Sequence, residues 1–391
     1  MKKLLLTISA AFLASQFSIA QVPVTNDTVP VIVHVINLGE AYGVGTNLDS
    51  VQIYSQFKVL NADYAGQGFN VNTVPAVWAG NVANTGVVFV KALYDPQGNT
   101  LAEPGIERVS YTSLSGVPGP GAGWNATTID NSIKPQTVWP ASLYCNIWVL
   151  KLGGGLLGYA TLPANSGLPW LPGTIPADSL KDGVVINYQF FGDTLNVQAP
   201  YNKGRTCTHE LGHWFGLVHI GNCTTTPYCS DLYPGNYNMA LGSPVFPDMA
   251  DSCTGFPLGP MFMNFMSYVD DASMYMFTTC QSDSIVWSLH HSTYHNNLQN
   301  SWVYHTVPTS IKEMSTNDFI SVYPNPSNGT FTFHRNGVLV NHFRVMDVNG
   351  REIKTDFVVA ENKLTLLAPA GMYLLQVFTE NGMVIKRLVV E

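Results

Sequence analysis

The chain contains the segment His209-Glu210-Leu211-Gly212-His213-Trp214-Phe215-Gly216-Leu217-Val218-His219, which fits the pattern H-E-x-x-H-x-x-G-x-x-H. His209 and His213 are four residues apart, so on a helix both imidazoles leave the same face. That spacing can hold one Zn2+ through ring nitrogens at about 2.0–2.1 Å. A helix that continued would carry His219 past the ion. Gly216 can adopt the left-handed conformation that ends a helix, which turns the chain and returns His219 as a third ligand. Three protein ligands leave a fourth position for water, and zinc lowers the pKa of that water toward about 7. Glu210, next to His209, is placed to act as general base on the water and then as proton donor to a leaving amine.

A second constellation lies further on. Asn264-Phe265-Met266-Ser267-Tyr268 places Met266 47 residues past His219. A methionine in a tight turn beneath three histidines is, with the long zinc motif, a hallmark of the metzincin metalloproteases. Tyr268, two residues beyond, is placed to aim its hydroxyl at a developing oxyanion. His290, His291 and His295 also have metal-like spacing, but they read better as a solvated or packing face of a helix.

The rest of the chain supports a globular, exported protein in two parts. Of 391 residues, 46% are hydrophobic and 11% charged, which is not a disordered composition. The formal net charge of −8 argues against a nucleic-acid partner held through phosphates. Lys2 and Lys3 precede an apolar run over residues 4–13, and Ser18-Ile19-Ala20 supplies small residues. Residues 1–20 therefore read as a secretory signal peptide. Beyond it no apolar run approaches about 18 residues, so no transmembrane helix is expected. All six cysteines lie between residues 145 and 280. An even count in an exported protein suggests disulfides, although six cysteines leave many pairings open.

Residues 29–36 form a nearly continuous apolar run, a buried strand. Asp49 and Gln52 have capping-box spacing, and Ile53, Phe57 and Leu60 follow at helical intervals. Residues 87–90, 147–150 and 184–188 read as further strands. Strands interleaved with helices predict an α+β (α/β-like) catalytic domain over 21–303, with a twisted mixed sheet and a zinc helix. Polar residues at 304–318 read as a linker. Pro324-Asn325-Pro326, Asn349-Gly350 and Asn381-Gly382 are turn signals, so residues 319–391 predict a small all-β sandwich.

These motifs resemble the pappalysin family of metzincins over roughly residues 28–300. The likeness includes Asn146-Ile147-Trp148-Val149 and Gly153-Gly154-Gly155-Leu156-Leu157-Gly158-Tyr159-Ala160. The resemblance implies that Gly155, Leu156, Leu157, Gly158 and Tyr159 belong to an edge strand over the cleft, where an extended substrate adds as a further strand. By the same analogy the downstream cysteines pair as Cys223–Cys253 and Cys229–Cys280, which leaves Cys145–Cys207. Family members also bind structural Ca2+, for which Asp231, Asp248 and Asp251 offer carboxylates. Relatives often cut before a basic residue that is received by an acidic side chain after the methionine turn. Here Ala272 stands at the expected position and Asp271 one residue earlier, which implies a weakened basic preference.

The last part resembles the type A sorting domain of the type IX secretion system, through Val322-Tyr323-Pro324-Asn325-Pro326, Asn349-Gly350-Arg351, Ala370-Gly371-Met372-Tyr373 and Lys386-Arg387-Leu388-Val389-Val390. That implies export to the periplasm, engagement of outer-membrane secretion machinery, and a secreted or cell-surface destination. The expected protein is a secreted zinc endopeptidase acting on proteins or peptides. The rival is a surface-binding protein on an inactive metalloprotease scaffold.

Overall fold

The computed structural model describes residues 27–172, 175–220, 223, 227–235, 242–247, 253–254, 258–305, 320–335, 340–347, 351–358, 363–379 and 382–391. The expected signal segment, residues 306–319 of the linker region, and the Asn349-Gly350 turn lie outside these. The chain divides into two units, Met1–Thr306 and Val307–Glu391.

The first unit is built on a six-stranded sheet. Its strands are β1 (Asp27–Asn37), β2 (Val87–Lys91), β3 (Ile106–Ser110), β4 (Cys145–Leu150), β5 (Gly158–Ala160) and β6 (Val184–Asn187). The order is β2-β1-β4-β6-β5, with β3 paired to the far half of β1 on the edge that β2 also uses. All pairings are parallel except β5 against β6, so the sheet is mixed, as expected. β1 is central and covered on both faces, which is why it reads as a nearly continuous apolar run. Val29, Val31, Val33 and Val35 face one core, while Ile32 and Ile36 face the other side.

Helix α1 (Ser50–Tyr64) starts at Asp49, whose carboxylate accepts from Val51 N. The expected capping box does not form, since Asp49 caps the second amide of the helix and not that of Gln52. Gln52 is fully buried and instead donates across the molecule to Phe191 O at 3.0 Å. Short helices α2 (Ala126–Thr128) and α3 (Lys134–Thr137) are joined by a π-helical turn, Ile129–Ile133. Helix α4 (Arg205–Trp214) carries the first two motif histidines, and α5 (Thr279–His291) closes the unit behind a complete Thr278–Gln281 capping box. β3 was not legible beforehand, because Ile106-Glu107-Arg108-Val109-Ser110 is charged and brief.

α4 begins almost wholly inside the protein. Gly204 takes a left-handed φ of 74° immediately before it, so the helix starts without a side-chain cap. The first amides are served from outside the helix: Lys203 N and Arg205 N donate to Asp271 Oδ2 at 2.7 and 3.1 Å. The Arg205 guanidinium, 1% exposed, donates through Nε and Nη2 to the Asp63 carboxylate of α1 at 2.9 Å each. Its Nη1 also reaches Asn70 Oδ1 and the carbonyls of Asp271 and Met274. Thr208 Oγ1 donates to Asp63 Oδ2 at 2.8 Å. Burial pushes the Asp63 and Asp271 carboxyls up to about 6, and the Arg205 charge opposes that rise.

The second unit holds two antiparallel four-stranded sheets. They are built from β7 (Ile320–Tyr323), β8 (Thr330–Arg335), β9 (Val340–Asp347), β10 (Glu352–Ile353), β11 (Thr355–Val358), β12 (Lys363–Leu366), β13 (Gly371–Thr379) and β14 (Gly382–Val390). The orders are β10-β9-β13-β14 and β11-β12-β8-β7. Phe331 and Phe333 with Tyr373, Leu375 and Val377 alternate into one shared core, the signature of a two-layer sandwich.

Removing one partner of the buried Asp63–Arg205 pair strands a charge. Asp63→Ala should destabilise the first unit by about 3–5 kcal/mol. The check is the urea midpoint of that unit's unfolding transition, and a midpoint like that of the parent chain would contradict this account of the helix start.

Candidate active site

The three motif histidines converge as the spacing predicts. α4 ends at Trp214, and Gly216 turns the chain with φ 92°. His213 Nε2 lies 3.1 Å from both His209 Nε2 and His219 Nε2. Nitrogens bound tetrahedrally to one zinc at about 2.05 Å would sit about 3.3 Å apart, so the donor set fits that ion. The tautomers fit too. His209 Nδ1 donates to Phe265 O at 2.6 Å and His213 Nδ1 to Leu217 O at 2.8 Å, which leaves each Nε2 lone pair facing inward. Burial lowers the pKa of all three rings, that of His219 to about 4, so they are neutral near pH 7, the form of imidazole that can bind a metal. Neighbouring histidines deepen the shift for His209 and His219.

Met266 lies directly beneath the helix. A Cβ on Gly212 would stand 2.4 Å from Met266 Sδ, so only glycine admits this contact without repacking. The turn is held by Asn264, whose Oδ1 accepts from Met266 N at 2.9 Å and from Gln281 Nε2 at 3.0 Å. Phe265 of this turn provides the carbonyl that orients His209. The methionine turn and His209 are therefore one mechanical unit.

Glu210 is 8% exposed, and burial pushes its carboxyl up to about 8. It faces β5: a Cβ on Gly158 would come within 2.9 Å of Glu210 Cγ. The Tyr268 hydroxyl lies 2.7 Å from His219 Nδ1. With Nε2 turned to the centre, Nδ1 carries the proton and donates to the phenol oxygen. Each of the three rings thus has an outer partner, and Tyr268 supplies the third.

The Gly-rich segment leads into the sheet edge. Gly154 and Gly155 are left-handed at φ 72° and 74°, with open space around them, so they make a turn and not a close backbone approach. Gly153 makes the close approach, against Gly123. Leu156 is exposed, Leu157 half-buried, and β5 follows as the last strand. Leu157 O accepts from Asn187 N, and Thr161 N donates to Gly183 O. By antiparallel alternation Tyr159 also bonds inward to β6, so Gly158 and Ala160 turn their N–H and C=O groups to the open edge.

Cys223–Cys253 and Cys229–Cys280 form disulfides. Cys145 and Cys207 do not pair, which corrects the expectation. One opens β4 and the other lies on α4, and each is a fully buried free thiol in the apolar core. Burial raises both thiol pKa values, which keeps them protonated and unreactive. Asp231 caps α5, accepting from Thr278 Oγ1 and Cys280 N at 2.8 and 3.1 Å, while Asp248 and Asp251 lie outside the described residues. The three later histidines separate: His290 meets Asp27, His291 stacks on Trp287, and buried His295 meets Asp182. The Asp271 carboxylate is engaged by the start of α4, and the residue is 1% exposed.

Residues 127–290 match the family model described as pregnancy-associated plasma protein-A, and residues 321–391 match the secretion system C-terminal sorting domain. An extracellular metalloprotease 1 of Coccidioides posadasii is 37% identical over 140 residues, 35% of this chain. That alignment spans 46% of the relative, just under half its length. An extracellular metalloprotease of Pyricularia oryzae is 25% identical over 271 residues, covering 65% of this chain and 72% of the relative. Among solved structures, mature mirolysin of Tannerella forsythia in complex with a cleaved peptide is 33% identical with a TM-score of 0.58, over 70% of this chain and 96% of that one.

Gly212→Ala tests the contact beneath the helix. Overpacking costs about 1–3 kcal/mol and the gain in helix propensity returns about 1, so a net loss near 1 kcal/mol is expected. Thermal unfolding measures it, and an unchanged or raised Tm would refute the tight fit on Met266.

Proposed function

The chain belongs to the pappalysin family of metalloproteases, and on that premise we propose that it is a secreted zinc endopeptidase. The observation that supports this most directly is the convergence of three outward-braced, neutral imidazoles beside a buried Glu210 and below an open sheet edge. Zinc held by His209, His213 and His219 supplies Lewis acidity toward a peptide carbonyl and lowers the pKa of water.

The chain's own groups do the rest. Glu210 takes the proton from water and passes it to the departing amine; burial raises its pKa, and the charge of a zinc ion beside it would oppose that rise. Tyr268 holds the Nδ1 proton of His219 in the resting site. A swing of that side chain, 44% exposed, brings its hydroxyl to the developing oxyanion. Gly158 and Ala160 pair with the backbone of an extended substrate, and the missing side chain at Gly158 leaves Glu210 room. Asp271 is engaged with backbone amides and does not receive a cation, so apolar residues are accepted after the cleaved bond. The rival reading, an inactive binding scaffold, leaves a buried carboxyl at position 210 without a structural reason. The C-terminal sandwich acts as the address for outer-membrane export from the periplasm.

Digestion of a peptide library by the purified chain, with and without chelator, tests the reading, alongside metal analysis. One zinc per chain and chelator-sensitive cleavage are expected; intact peptides with zinc bound would favour the rival. Glu210→Ala should abolish cleavage with zinc retained, and Tyr268→Phe should lower kcat by about 10²-fold. Turnover by either variant at the parent rate would remove that residue from the mechanism. Deleting residues 319–391 should leave folded enzyme in the periplasm, as read by cell fractionation; normal release would contradict the sorting role.

A further inference from the structure

β5 has only three residues and one neighbouring strand, yet the proposed substrate pairing needs its open edge at a fixed height over Glu210. Two of its side chains cannot anchor it. Gly158 has none, and Ala160 is a methyl group packed toward the α4 side. Tyr159 points to the opposite face of the sheet, among Trp124, Ile133 and Trp148. There its hydroxyl donates to Asp130 Oδ1 at 2.7 Å.

A buried cation completes the arrangement. Lys134 Nζ lies 2.9 Å from Asp130 Oδ1 and donates to Lys181 O at 3.1 Å. It also sits 4.8 Å from the Tyr159 ring centre and 4.9 Å from that of Trp148, a cation between two aromatic faces. The Lys134 side chain is 1% exposed, and desolvation lowers its pKa while Asp130 opposes the shift. Thr161, just past β5, donates its hydroxyl to the same Lys181 carbonyl at 2.7 Å. The strand is therefore tied to one polar cluster at residue 159 and again at 161. Asp130 and Lys134 are four apart across the π-helical turn Ile129–Ile133, which sets both side chains toward the strand.

Burying an ammonium is costly, and an apolar residue would pack more cheaply against Trp148. We propose that Asp130 and Lys134 are positioning residues for substrate binding. They fix the edge of β5 through Tyr159, so that a peptide added to that edge lies in register with Glu210. This rests on the proposed peptide hydrolysis, so the test has one arm that needs substrate and one that does not.

The variants are Tyr159→Phe, which removes only the hydroxyl, Asp130→Asn, and Lys134→Met. In the full chain, with zinc content and Tm recorded, each should raise KM for a peptide long enough to lie along β5. The expected rise for Tyr159→Phe is about three- to tenfold, with kcat changed less than about twofold. The Tyr159→Phe/Asp130→Asn pair should be no worse than Asp130→Asn alone, because that substitution already weakens the hydroxyl contact and the Lys134 ion pair together. Without substrate, hydrogen exchange at the Tyr159 and Thr161 amides should quicken about tenfold in Tyr159→Phe and Lys134→Met. A parent chain that cleaves nothing would sink the proposed function and leave the exchange arm to judge the clamp. Unchanged exchange, or an unchanged KM in variants of an active parent, would overturn the clamp, whatever happened to Tm.

Discussion

Everything in the first unit depends on starting a helix inside the protein. Burial moves the histidines further into the neutral range, and α4 is buried from its first residue. A buried helix end exposes amides that water cannot reach. Asp271 meets them, Arg205 balances Asp271 and Asp63, and Asp63 returns to α4 through Thr208. This network joins α1, α4 and the segment after the methionine turn. Such a pair contributes little net stability compared with an apolar substitute, but losing either half is expensive. Its consequence is geometric: the helix enters the core at one height and one rotation.

From that fixed start the site assembles by bracing. Each imidazole is held at Nδ1 by a different part of the chain: the methionine turn for His209, the turn after Gly216 for His213, and Tyr268 for His219. These outer contacts turn each Nε2 toward one shared centre, which lowers the cost of ordering the set. The same methionine turn is tied through Asn264 and Gln281 to the capping box of α5. The Cys229–Cys280 bridge and Asp231 converge on that helix start as well. Among the described residues no helix is long and apolar enough to cross a membrane.

The opposite face of the sheet carries polar groups that look extravagant beside the apolar core. His34 bonds Glu107 and Asn146 between Trp139 and Trp148, and Lys134 sits between Trp148 and Tyr159. Both clusters pin strands that border the working face. A short edge strand has few backbone bonds to hold it, so side chains on its far side determine where its near side stands.

The sequence alone determined that His209, His213 and His219 converge, that Glu210 stands beside them, that Met266 turns beneath the helix, and that the chain divides in two. Each is written locally: periodicity puts His209 and His213 on one face, glycine at 216 admits the turn, and Asn-Gly pairs mark turns of the second unit. Tertiary structure alone decided what depends on distant partners. Asp271, one residue from where a pocket acid was expected, was recruited by amides 66 and 68 residues earlier in the chain. Gln52 left its capping box for a carbonyl 139 residues away. Cys145 and Cys207 are free thiols, both buried in the one apolar core between a strand and the helix above it. The Asp130–Lys134–Tyr159 cluster left no trace in any local pattern, since Asp130 and Tyr159 are 29 residues apart and meet only across the sheet. Local periodicity fixes which way a side chain leaves its own element; which group awaits it there is set by packing between elements, and no spacing along the chain encodes that.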